Sequence, residues 1–150
     1  MFPGLAFREA LAGHYWRLDA PTEVLSIAAT VEAHAPDLAE LARDRAFLVK
    51  GSIDVERLAS GTPIEGTLAF RFAHRGRLHY RLAFEGDDGR RYELGGQKEW
   101  SPLAPIDSLG VLAASLYDAK NEEIARATLR PSAPGGAWSV LKSLRLSSLL

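Results

Sequence analysis

Residues 66–98, GTLAFRFAHRGRLHYRLAFEGDDGRRYELGGQK, hold three apolar alternations separated by two glycine-ended turns. Leu68, Phe70 and Phe72 alternate with small or polar residues, as do Leu78, Tyr80, Leu82 and Phe84, and then Tyr92 and Leu94. A period of two marks a strand with one buried face. His74-Arg75-Gly76 and Asp87-Asp88-Gly89 each suit a three-residue hairpin loop with glycine in the left-handed conformation. The resulting register sets Phe72 against Leu78, Phe70 against Tyr80, Leu82 against Leu94 and Phe84 against Tyr92. A two-residue Asp88-Gly89 turn would oppose Phe84 to Glu93 and spoil the buried face. The segment reads as an antiparallel meander.

Similar patterns extend in both directions. Residues 5–18 read as a strand, broken or bulged near Gly13, with Trp16 and Leu18 on one face and Tyr15 on the other. Val24–Ala33 places Leu25, Ile27 and Val31 on one face, and Phe47–Val55 does the same with Val49, Ile53 and Val55. Between these strands, Pro36–Arg43 suits a short helix, with proline and acids at its start. Gly61-Thr62-Pro63 punctuates a loop, and Gly95-Gly96 reads as a bulge or bend. Leu112, Ala114 and Leu116 alternate, and Asp118–Asn121 turns the chain into a last strand over 123–130. In the tail, Trp138, Leu141 and Leu144 sit at helical spacing, whereas Leu144 and Leu146 alternate with polar residues like a strand; the helix is the reading preferred. The fold class expected is therefore mainly β. About eight or nine antiparallel strands form a barrel or a sandwich, with one short helix and a helical C-terminal tail, as a single domain over 1–150.

Composition narrows the function classes. The chain of 150 residues is 47% hydrophobic and 25% charged, with net charge −1 and no cysteine. Thiolate metal sites, disulfides and thiol nucleophiles are excluded. The near-neutral charge argues against nucleic acid, although residues 71–91 hold six arginines against three acids. Neither a signal sequence nor a membrane-length apolar run is expected, and a cytoplasmic location fits. His14, His34, His74 and His79 show no metal-ligand spacing. There is no Gly-x-Ser-x-Gly elbow and no dinucleotide fingerprint, so no catalytic residue, metal or cofactor is assigned. His79 is the best-placed histidine, expected opposite Arg71 and Gln97. An enzyme working near it, with Arg81 or Arg71, is the least supported reading.

Phe7-Arg8-Glu9 followed by Gly13 forms part of a wider pattern. It continues through Tyr80-Arg81-Leu82-Ala83-Phe84, Asp87-Asp88-Gly89, Tyr92-Glu93-Leu94 and Gly96-Gln97-Lys98 to Leu109 and Ser115-Leu116-Tyr117. Over residues 5–130 this resembles a bacterial domain found beside GMC-type (cholesterol oxidase-like) flavin oxidoreductases and some lipid-hydrolase-like proteins. The resemblance implies an association with sterol or lipid handling and an oxidoreductase or hydrolase partner. It implies no flavin chemistry, because the flavin-binding portion is not in this sequence.

The expected role is a non-catalytic binding or accessory domain for a lipid-like or other apolar small molecule. Its ligand-binding candidates are Tyr80, Phe70, Phe84, Tyr92, His79 and Arg81, with the Tyr80 hydroxyl as the polar handle on an apolar face. The alternative is a protein-interaction module or homodimer that docks through the leucine-rich tail.

Overall fold

In the computed structural model, the alternation seen between 66 and 98 recurs in every long strand and curls them into a ring. The structure describes residues 5–35, 39, 43, 45–71, 76–100, 110–132 and 145–146. The strands are β1 (Leu5–Arg17), β2 (Ala20–Ala35), β3 (Ala46–Val55), β4 (Ala59–Arg71), β5 (Gly76–Glu85), β6 (Arg91–Trp100), β7 (Leu112–Tyr117), β8 (Glu123–Pro131) and the two-residue β9 (Arg145–Leu146). Each of the first eight pairs with its sequence neighbours, and β1 pairs with both β2 and β8. This is a closed, eight-stranded, antiparallel up-and-down barrel. Closure satisfies the edges that an open sheet would leave unpaired.

The apolar faces point inward. Leu25, Ile27, Ala29, Val31, Ala33 and Ala35 of β2 are buried, as are Val49, Ile53 and Val55 of β3 and Leu112, Ala114 and Leu116 of β7. Leu11, Ile53, Leu68, Leu82, Leu94, Leu112 and Leu129 are almost wholly excluded from solvent and pack the middle of the barrel. β1 runs through Gly13 itself without interruption, its irregularity falling a little further on between Tyr15 and Arg17, and β6 runs unbroken through Gly95-Gly96. Gly96 serves close approach instead. A Cβ at this position would lie 2.6 Å from the Ala113 carbonyl oxygen and 2.8 Å from the Ala114 Cβ.

The β5–β6 hairpin has the expected register, with Leu82 opposite Leu94 and Phe84 opposite Tyr92. The Gly86 N–H donates to Arg90 O, the Gly89 N–H donates to Gly86 O, and Gly89 has φ 77°. The β7–β8 turn repeats the device with Asn121 at φ 64°. In the β4–β5 hairpin the pairing differs from expectation: Phe70 faces Leu78 and Leu68 faces Tyr80, two positions away. A slip of two leaves every side chain on its own face, so alternation cannot distinguish these registers. His79 consequently lies opposite Ala69 rather than Arg71, and opposite Gln97 as expected.

Gly61-Thr62-Pro63 is not a loop but part of β4, beside an irregularity in its pairing with β3. Pro63 is tolerated because β4 pairs with β5 only from Glu65 onward, so its missing N–H costs no ladder bond. The expected helix at 36–43 lies almost wholly outside the described residues. The expected helical tail does too, apart from Arg145 and Leu146, which pair with Ala6 and Leu5. Among the described residues no helix is long and apolar enough to cross a membrane.

Candidate functional site

Three polar side chains meet inside this apolar barrel. Continuous alternation along β1 puts Glu9 on the face of Leu11 and Tyr15, and alternation along β6 puts Lys98 on the face of Tyr92 and Leu94. The Glu9 and Lys98 side chains are only 3% and 1% exposed. The Lys98 ammonium donates to Glu9 Oε2 at 3.0 Å, and the Tyr80 hydroxyl donates to Glu9 Oε1 at 2.9 Å. Lys98 Nζ also lies 5.6 Å from the centre of the Tyr80 ring, within cation–π range. β1 and β5 stand diametrically across an eight-strand ring, so the Tyr80–Glu9 bond spans the lumen. Burial first, and then the adjacent Glu9 carboxylate, hold the Tyr80 phenol well above its ordinary range. The phenol is therefore a permanent donor near neutral pH.

This network joins Phe7-Arg8-Glu9 of β1 to Tyr80-Arg81-Leu82 and Gly96-Gln97-Lys98, which are neighbours across the β5–β6 hairpin. Neither Glu9 nor Lys98 was among the sequence candidates. The signal that could have found them is a charged residue in phase with a buried face, two positions from Leu11 in one strand and four from Leu94 in the other.

The other candidates are divided between two further places. Phe84 and Tyr92 stack with ring centres 5.8 Å apart, near the end of the barrel that carries the short turns. Tyr92 there lines a cup of about 350 Å³, together with Tyr15, Leu25, Leu116 and Ala125. Both phenols of the cup are turned to protein partners. Tyr15 donates to the Glu56 carbonyl, and Tyr92 donates to Asp88 Oδ2 at 2.6 Å. The rim guanidiniums are likewise taken: Arg57 pairs with Glu23, and Arg17 with Asp19 at 3.1 Å. The cup thus offers apolar walls with its orienting groups already engaged.

His79 and Arg81 occupy the opposite side of the sheet wall. They line an open outer groove of about 880 Å³ with Trp16, Gln97, Ser115 and Tyr117. Arg81 is exposed and bonds Glu93 at 2.9 Å, and His79 is half-buried. Phe70 faces Leu78 across the ladder. The Phe70 side chain lies outside those described, and the other five candidates do not form one site. Tyr80 alone belongs to the buried network. Among the described residues, no group of three or more His, Asp or Glu side chains could hold a metal ion.

No model of a known protein family matches the chain, and no curated protein matches it.

Proposed function

We propose that this barrel is a non-catalytic binding domain for a lipid-like or other mainly apolar small molecule. It acts alone or as an accessory to a lipid-handling oxidoreductase or hydrolase. The observation that carries the reading is the convergence of Glu9, Tyr80 and Lys98 on one spot in an otherwise apolar interior. Removing a carboxylate and an ammonium from water costs several kcal/mol per ion, and packed apolar side chains would stabilise the fold as well or better. A few convergent polar groups set in apolar walls are what orients a small ligand. An eight-stranded barrel is the size that either fills itself or holds one small molecule. The cup supports the reading less, since its arginines and phenols are already paired, and in the outer groove Arg81 is held by Glu93.

Native mass spectrometry of the purified protein, followed by titration with a fluorescent long-chain probe, tests the proposal. One saturable site, emptied by unlabelled apolar molecules, is the expected result. The Tyr80→Phe protein should fold and bind more weakly, because Glu9 loses the hydroxyl that holds its carboxylate in place. A protein that takes up no probe and carries nothing from expression would end this reading.

A further inference from the structure

We propose that the open groove on the outer wall is a binding place separate from the interior, and that it takes a neutral oligosaccharide. The proposal does not depend on the apolar-ligand reading above.

Outward positions in register build the groove. Across the ladders Trp16 faces Arg126, Arg126 faces Ser115, Ser115 faces Gly95, and Gly95 faces Arg81. In the next row Thr128 faces Ala113, Ala113 faces Gln97, and Gln97 faces His79. Short side chains in the middle of both rows leave a trough of about 880 Å³ with larger ones along its sides. Gly95 presents no side chain, and the Tyr117 ring lies beside it, 3.4 Å from where a Cβ would be. Trp16 and Tyr117 are both half-buried and both line the trough. They stand two strands and two residues apart, which strand spacing and rise convert to about 12 Å.

The lining decides the class of ligand. Its charged groups are already matched, Arg81 with Glu93 at 2.9 Å and Arg126 with Glu123 at 3.2 Å. Matched charges leave a polyanion such as nucleic acid without cations to neutralise it. The unused hydrogen-bonding capacity belongs to neutral groups. Among the described residues, the Trp16 indole, the Tyr117 hydroxyl, the Gln97 amide and the Thr67 and Thr128 hydroxyls make no side-chain hydrogen bond. Together they offer donors and acceptors. A peptide strand would need an unpaired sheet edge, and the eight strands are closed. An oligosaccharide matches what remains. Its hydroxyls donate to and accept from the amide and hydroxyl groups, and the C–H faces of its rings lie on the indole and the phenol. Two separated aromatic rings suit linked sugars rather than a single one.

Two-dimensional amide NMR of the whole chain, titrated with maltotetraose, cellotetraose and chitotetraose, tests the proposal. At least one tetrasaccharide should move the Trp16 indole N–H and the Gly95, Gln97, Ser115 and Tyr117 amides along saturable curves. The corresponding monosaccharide, which reaches only one ring, should bind about tenfold or more weakly. Trp16→Ala and Tyr117→Ala should each weaken the tetrasaccharide about fivefold or more while the spectrum otherwise keeps its dispersion. Tyr80→Phe should leave sugar binding unchanged, because its hydroxyl bonds Glu9 inside the barrel. Three results overturn the proposal: no tetrasaccharide moves these signals, a heparin tetrasaccharide or oligo(dT) moves them at lower concentration than every neutral sugar, or they move with protein concentration alone. The last would make the groove an interface between copies of the chain. The native-protein titrations decide the matter even where a variant does not fold.

Discussion

Replacing Lys98 with methionine should destabilise the barrel more than removing its whole polar network. The single substitution keeps the volume of the side chain but leaves the Glu9 carboxylate, 3% exposed, with the Tyr80 hydroxyl as its described hydrogen-bond donor. Stranding one partner of a buried ion pair costs about 3–5 kcal/mol. The double variant Glu9→Leu, Lys98→Met removes both charges and strands only the phenol, at about 1–3 kcal/mol. Adding Tyr80→Phe removes that last polar group, and the triple variant should return to within about 2 kcal/mol of the native protein or exceed it. Urea unfolding followed by fluorescence reads these differences as shifts in midpoint at constant slope. In thermal melts, the single variant should lose roughly 10 °C at this chain length. The reasoning fails if Lys98→Met costs less than about 1 kcal/mol, or if the single costs simply add. Either outcome would mean that the network is solvated and that its members act independently.

Three further predictions follow from local geometry. Gly89→Val should cost about 1–2 kcal/mol in chemical unfolding. The residue sits at φ 77° with the nearest atom to a new Cβ 3.8 Å away, so the penalty is conformational and not steric. Gly96→Ala should cost more, about 2–3 kcal/mol, because its Cβ would press on the β7 backbone at 2.6 Å; a neutral result would refute the close β6–β7 approach. Asp88 should titrate below the usual aspartate range, held there first by the Tyr92 hydroxyl and then by the Arg90 N–H. Because its folded pKa is depressed, its contribution is present above the unfolded value of about 3.9 and is lost as pH falls through the folded pKa. In Tyr92→Phe, NMR titration should find the Asp88 midpoint moved upward, and an unmoved midpoint would rule out the hydroxyl as the cause.

Much of the fold was legible because a strand with one buried face leaves a period-two trace in its own residues. The alternation in 24–33, 47–55, 78–84 and 112–116 identified inward and outward faces from nearest-neighbour pattern alone. Gly89 settled the β5–β6 register, since only one loop length keeps Phe84 opposite Tyr92. The β4–β5 register was not decidable in this way. A slip of two residues preserves every face, and the connection through 72–75 carries no equally exclusive constraint. Pro63 misled for a related reason: whether proline can sit in a strand depends on which neighbour would have received its N–H, and that is a tertiary fact.

The candidate site divides along the same line. Tyr80 could be singled out from the sequence because a phenol on an apolar face must find a partner. Phase along its strand also determined that Arg81 lies on the opposite side of the wall, though the sequence reading grouped the two. The identity of the partner could not be read in the same way. Glu9 is 71 positions from Tyr80 and 89 from Lys98, and each looks in isolation like an ordinary charged residue in a strand. The β5–β6 hairpin already sets Lys98 beside Tyr80, and only closure of the eight strands, which places β1 across the lumen from β5, brings the Glu9 carboxylate within hydrogen-bonding distance of both. The sequence by itself determined which way each side chain faces, because that depends on local backbone geometry. The tertiary structure decided which of those side chains meet, because that depends on the number of strands and their register around a closed ring.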